Sequence, residues 1–443
     1  MDLGNALSGW FINQLEMMPA ELLRQGAEWL APGRLFDRMV GEREAAEIRA
    51  LLSQPAAEGP RPSTVLLPGI MGSLLASVRG ISAVLWFNPT VVLDGHINLL
   101  DLNDDGDGDR SPDVEITPVG IEKFTYLRLI VALAHETRLY EFPYDWRRHL
   151  EYNARLLHEA LRRWSAGAPQ RRYVLVGHSM GGMLARTYLA LYPREAERMI
   201  ERVVMLGTPL YGAIEAALIF TGETTQSQIV SRLNPANDVV RFASNLPASY
   251  QLLPPPPELF TPARPYPLNW DLYDARAWGA PSVRQDYLDD AKKLHQRLAK
   301  DDPQVEIVEI AGCHRRTLTD IWRAEEMDAA HSAKPAYTLV SQECGDDSGD
   351  GTVPLWSTRH ANIPTYYIEE DHNLLPGNPA AIEAVLALVR GETPALPAEL
   401  PEPANILQKL KPLSLLQQVA DLRQHIESGE MTRVDLHKML FAR

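Results

Sequence analysis

Short, largely apolar runs at residues 64–67, 138–142, 173–176, 203–206, 305–310, 337–340 and 365–368 recur along this chain after Pro60 and Pro62. Stretches with helical spacing of apolar residues separate them. Strands that are apolar on both faces and interleaved with helices can bury themselves only in a mostly parallel sheet covered on both sides. The fold class expected is therefore α/β.

Between Gly207 and about Lys300 this rhythm stops, and four consecutive prolines, Pro254 to Pro257, are joined by Tyr250, Phe260, Tyr266, Trp270, Tyr273 and Trp278. So long an interruption reads as an insertion over the sheet edge, a cap or lid. For any one of these aromatic residues, packing in a small core of the insertion is the first expectation, ahead of lining a pocket. After the last strand, Asn378, Pro379 and Gly391 punctuate a helix with Ile382, Val385, Leu386 and Val389 on one face. The division expected is a helical N-terminal extension over 1–58, a core over 59–210 and 301–393, a cap over 211–300, and a proline-rich linker with a helical hairpin over 394–443.

The 443 residues carry 43 basic and 58 acidic side chains, a formal charge of −15. A phosphate-backbone binder needs a basic face, so nucleic acid is not an expected partner. Two cysteines, Cys313 and Cys344, cannot build a disulfide framework or a metal knuckle. The N-terminus lacks the basic start and continuous apolar stretch of a secretory signal, and no run reads as a membrane span. A cytoplasmic location is the expectation, with peripheral membrane contact through apolar surface rather than Coulomb attraction.

The run at 173–176 leads directly into Gly177-His178-Ser179-Met180-Gly181 and then a helical pattern. A buried strand that turns this sharply into a helix needs glycines where side chains would collide, and it holds the serine up at the carboxyl edge of the sheet. A serine hydroxyl needs a base to take its proton and an acid to orient that base. His372, a few residues past the last apolar run, is the first candidate base, with His360 the alternative. Asp350, between two glycines, is the first candidate acid, ahead of Asp346 and Asp347. Acyl transfer also needs two backbone N–H donors for the oxyanion. Met180 would supply one, and Ile70, in Leu67-Pro68-Gly69-Ile70-Met71-Gly72-Ser73, the other.

These segments, with Leu85-Trp86-Phe87-Asn88-Pro89, Phe142-Pro143-Tyr144-Asp145-Trp146-Arg147, Leu206-Gly207-Thr208-Pro209 and Gly349-Asp350-Gly351-Thr352-Val353-Pro354, occur in the order seen in the lecithin:cholesterol acyltransferase-like α/β hydrolases. The chain resembles that family, which includes phospholipases and phospholipid:diacylglycerol acyltransferases, over about residues 60 to 391. The resemblance implies an α/β-hydrolase fold with a lid from about Tyr211, a triad of Ser179, Asp350 and His372, and an oxyanion hole at Ile70 and Met180. The activity implied is hydrolysis or O-acyl transfer on a lipid or other acyl ester, without a cofactor. The cysteine pairs of secreted animal members are missing. Asp145 and Trp146 read equally as a structural turn with a packed indole or as substrate contacts.

Two weaker readings complete the sequence. Asp101, Asn103 and Asp105 imitate the first half of a calcium loop, but Pro112 stands where the bidentate glutamate belongs, which favours an exposed acidic loop. The terminal helices, the C-terminal pair above all, could dock a protein partner, and a recruited effector is the alternative to an enzyme.

Overall fold

The computed structural model describes residues 42–53, 61–79, 83–86, 88–222, 224, 230–231, 233–300, 304–323 and 337–403. The expected C-terminal hairpin and most of the N-terminal extension lie outside these residues. The described strands are β1 (Ser63–Leu67), β2 (Ser73–Ser77), β3 (Ala83–Trp86), β4 (Ile116–Ile121), β5 (Arg138–Glu141), β6 (Tyr173–His178), β7 (Ile200–Leu206), β8 (Glu306–Gly312), β9 (Thr317–Arg323), β10 (Tyr337–Gln342) and β11 (Thr365–Ile368). The longer helices are α1 (Glu42–Ser53), α2 (Lys123–Glu136), α3 (Leu150–Trp164), α4 (Met180–Leu191), α5 (Gln285–Lys300) and α6 (Pro379–Arg390).

The central sheet has the order β11-β8-β7-β6-β1-β5, and every pairing in it is parallel. Its apolar runs divide with a period of two, as successive strand side chains must. Leu66, Val174, Val176, Val204 and Ile310 pack against α2 and α6, while Val65, Leu175, Val203, Met205 and Ile307 pack against α3 and α4. This is the α/β-hydrolase arrangement of a parallel sheet flanked by helices. The chain runs from β1 outward to β5, then returns to β6 on the other side of β1. Ligands of open α/β sheets bind beyond the strands' carboxyl ends at such a reversal.

Two smaller sheets were not legible as such. β3-β2-β4 is an antiparallel sheet inserted after β1, and β9-β10 is an antiparallel pair. The run at 337–340, expected in the parallel sheet, is instead β10. An apolar run has the same pattern in either sheet, and an antiparallel neighbour needs only a return of the chain rather than a crossover.

The α6 punctuation is as expected: the Asn378 side chain accepts from Ala380 N and Ala381 N, and Gly391 closes the helix at φ 80°. The aromatic residues between β7 and β8 form a core with Tyr250, Tyr273 and Trp278 buried against Phe220 and Leu288. Helix α5 joins that core to the sheet, since Tyr287, Leu288 and Ala291 face the insertion while Leu294 reaches the sheet-side cluster. The proline-rich segment after α6 lies along the edge strand β11, where Tyr367 N donates to Pro397 O at 2.9 Å. That contact covers one edge donor that would otherwise be open to another chain. Both cysteines are unpaired.

Candidate active site

β6 ends at His178, α4 starts at Met180, and Ser179 between them adopts φ 54° and ψ −123°. A non-glycine residue held at positive φ is strained, and the strain is sustained only where surroundings fix it. Here Ser179 N donates to Leu206 O at 2.9 Å, and a Cβ on Gly181 would stand 2.2 Å from Leu67 O. Glycine is thus obligatory where α4 meets the end of β1. Ser179 is 7% exposed and opens into a cavity of about 250 Å³ that His372 also lines.

His372 Nδ1 lies 2.6 Å from Asp350 Oδ2, and both side chains are buried. The other carboxylate oxygen of Asp350 accepts from Thr352 N at 3.0 Å and Val353 N at 2.7 Å. The backbone of His372 is held as well, its N–H donating to Asp350 O at 2.8 Å. The competing candidates stand elsewhere. Asp346 is 82% exposed and pairs with Arg359, and Asp347 is 61% exposed at 3.5 Å from Arg264. His360 stacks on Tyr211 and is not part of the cavity wall.

The loop after β1 is fixed from several sides. Pro68 O accepts from Tyr144 Oη at 2.7 Å, Met71 O from Trp86 Nε1 at 2.9 Å, and Ser73 O from Trp146 Nε1 at 3.1 Å. Gly69 N donates to Tyr126 Oη at 2.8 Å, and Met71 takes φ 64°. Among the described residues, no hydrogen bond uses the N–H of Ile70 or of Met180. Two backbone donors are therefore uncommitted, one following each of the strands β1 and β6.

Tyr144 and Trp146 thus brace the loop, and Asp145 serves their neighbour. Arg147, 1% exposed, takes both Asp145 oxygens (Nε–Oδ1 2.8 Å, Nη2–Oδ2 2.7 Å) and also donates to Leu100 O and Asp109 Oδ1. The contacts of Asp145 and Trp146 are those of a structural turn.

The same contacts engage the acidic loop. Asp101 is buried and paired with Arg241 at 2.6 Å, and Asn103 closes its own loop through Asp107 and Gly108. Asp105 carries no contact that draws it toward them, and no group of three or more metal-ligating His, Cys, Asp or Glu side chains converges among the described residues.

Three residues beside the site carried no sequence signal strong enough to select them. Tyr126 sits in the first turn of α2, and His178 occupies the variable position of the serine motif. Glu309 is a buried carboxyl within β8, its Oε1 accepting from Thr208 N at 3.1 Å. Burial drives the Glu309 carboxyl well above the usual carboxylate range, and it drives His178 well below that of a free imidazole.

Residues 131–267, which contain Ser179 and the Tyr144-Asp145-Trp146-Arg147 run, match the lecithin:cholesterol acyltransferase family model. Over that segment the chain is similar to the lecithin:cholesterol acyltransferase family. No curated protein matches it by sequence. Among solved structures it is similar to the crystal structure of the Tle4–Tli4 complex, at 14% identity, TM-score 0.48, and 75% of this chain against 99% of the other. A second is mature Bacillus licheniformis lipase BlEst2, at 14% identity, TM-score 0.38, and 76% against 96%. A third is the lin2722 gene product of Listeria innocua, at 13% identity, TM-score 0.32, and 77% against 100%. Among the described residues, no helix is long and apolar enough to cross a membrane.

Proposed function

We propose that this protein is a serine-dependent lipid acyl-ester hydrolase or O-acyltransferase. One observation carries the reading: Ser179, on a strained turn, shares an apolar cavity with His372, whose Nδ1 is 2.6 Å from the buried Asp350 carboxylate. A carboxylate only accepts, so Nδ1 carries the proton and Nε2 is left as the base. In the first half-reaction His372 Nε2 takes the Ser179 proton as Oγ bonds to the ester carbonyl carbon. Ile70 N–H and Met180 N–H hold the oxyanion while Asp350 stabilises the imidazolium. Collapse breaks the ester C–O bond, His372 protonates the leaving alcohol, and an acyl-serine remains. Water or an acceptor hydroxyl, deprotonated by His372, then takes the acyl group.

The lipid character rests on the cavity wall. Ile70, Val92, Phe242, Leu246 and Leu252 present an apolar lining suited to an acyl chain. Leu374, 55% exposed two residues past His372, adds apolar surface beside the site. In this reading residues 59–210 and 301–393 form the catalytic core and 211–300 the cap. The test is mass-spectrometric product analysis with mixed phospholipid vesicles, with and without a long-chain alcohol. Fatty acid or alkyl ester that appears with the wild type and disappears with Ser179→Ala supports the proposal, and turnover retained by Ser179→Ala overturns it.

A further inference from the structure

We propose that His178 is a positioning residue that, through Tyr126, ties the loop bearing the Ile70 donor to the backbone of His372; the inference rests on the serine mechanism above. His178 Nδ1 lies 2.7 Å from Tyr126 Oη, and His178 Nε2 lies 3.0 Å from His372 O. The direction of each bond follows from the chemistry of the groups. A backbone carbonyl only accepts, so His178 Nε2 carries the hydrogen. In a neutral imidazole Nδ1 is then bare and accepts from the Tyr126 hydroxyl. That hydroxyl in turn accepts from Gly69 N–H at 2.8 Å. The chain therefore runs from Gly69 N–H to Tyr126, from Tyr126 O–H to His178, and from His178 Nε2–H to His372 O.

Each link is buried and none has room to slip. Tyr126 is 2% and His178 3% exposed, and the His178 ring sits between those of Tyr126 and His372, with centroids 5.7 and 4.8 Å away. A Cβ on Gly69 would approach Ser179 Cβ to 3.1 Å and His178 Nδ1 to 3.2 Å, so the loop is seated directly on the elbow. The chain works only with His178 uncharged, because an imidazolium has no acceptor for the tyrosine and would oppose protonation of His372. Burial, followed by the charge of His372, holds His178 neutral. Oxyanion donor and base must hold their relative positions while charge develops on both, and this strut joins their backbones through the cavity wall.

Tyr126→Phe removes one oxygen and cuts two links, and His178→Phe cuts the chain at its centre. Steady-state hydrolysis of p-nitrophenyl butyrate by wild type, both single variants and the double variant tests the inference. The expected result is a kcat about 10- to 100-fold lower in each single variant with KM within about twofold, and a double variant no worse than the poorer single one. A kcat within about twofold of wild type for Tyr126→Phe, or losses that multiply in the double variant, would overturn it. Should His178→Phe not fold, the kcat and KM of Tyr126→Phe decide alone. Turnover abolished by Ser179→Ala but unchanged by Tyr126→Phe sinks only the strut, whereas turnover that survives Ser179→Ala sinks the serine mechanism and the strut together.

Discussion

Replacing Asp350 by asparagine changes one atom and should nearly stop the chemistry. The carboxylate has no exposure, and its two oxygens do different work: Oδ1 receives Thr352 N and Val353 N, and Oδ2 receives His372 Nδ1 at 2.6 Å. In Asp350→Asn the amide oxygen must stay with the two backbone donors, because an NH2 group there would face two N–H groups. The NH2 then points at His372 Nδ1, and two donors cannot share that short contact. His372 is driven to the tautomer with its proton on Nε2, where the base should be, and the imidazolium loses its counter-charge. The comparable substitution in a serine protease costs about 10⁴ in kcat, so a fall of about 10³- to 10⁴-fold is expected here with KM little changed. The assay is steady-state turnover of p-nitrophenyl butyrate, with thermal melting as a check that the near-isosteric variant folds. Asp347→Asn, at an exposed position, serves as the control and should stay within about twofold of wild type. Activity of Asp350→Asn within about tenfold of wild type, or an equal loss in Asp347→Asn, would refute the assignment of the acid.

Arg147→Met strands the buried Asp145 and the mostly buried Asp109 without their cation; urea unfolding should show about 3–5 kcal/mol lost, and a loss below about 1 kcal/mol would mean the network is not a stabilising brace. His295 gives a pH signature, since burial pushes its imidazole down to about 4. Between that value and about 6.5 the unfolded chain binds a proton that the folded chain does not, so stability falls as pH drops through this window, by about 2 kcal/mol at about pH 5 from this residue. His295→Gln should lose less stability than wild type between about pH 7 and pH 5 in urea titrations, and parallel pH curves would contradict it.

Much of the frame is readable because burial on both faces leaves an apolar signature: the residues that alternate between α2/α6 and α3/α4 are the same ones that make the runs conspicuous. The signature fails where strands carry breakers or lack partners in the main sheet. β4, Ile116-Thr-Pro-Val-Gly-Ile121, contains a proline and a glycine, and β10 looks like any buried strand until β9 is seen beside it. The Ser179 turn is legible because it marks itself with glycines in a short motif: Gly177 is crowded by the backbone of Gly181 and Gly182 within the turn, and Gly181 by Leu67 O at the end of β1. The strut is not, since its links join residues 52 and 194 positions apart. Spacing also could not reveal that Arg241 takes the Asp101 carboxylate of the calcium-like loop, or that Arg147 takes Asp145.

The central claim is that Ser179 is the acylated nucleophile. Incubation with a fluorophosphonate, followed by intact-mass and peptide mass spectrometry, addresses it directly. The expected result is one adduct per chain on the peptide containing Ser179, absent in Ser179→Ala and strongly slowed in His372→Ala. Labelling of a different residue, or ester turnover that persists while Ser179 is fully modified, would contradict the account.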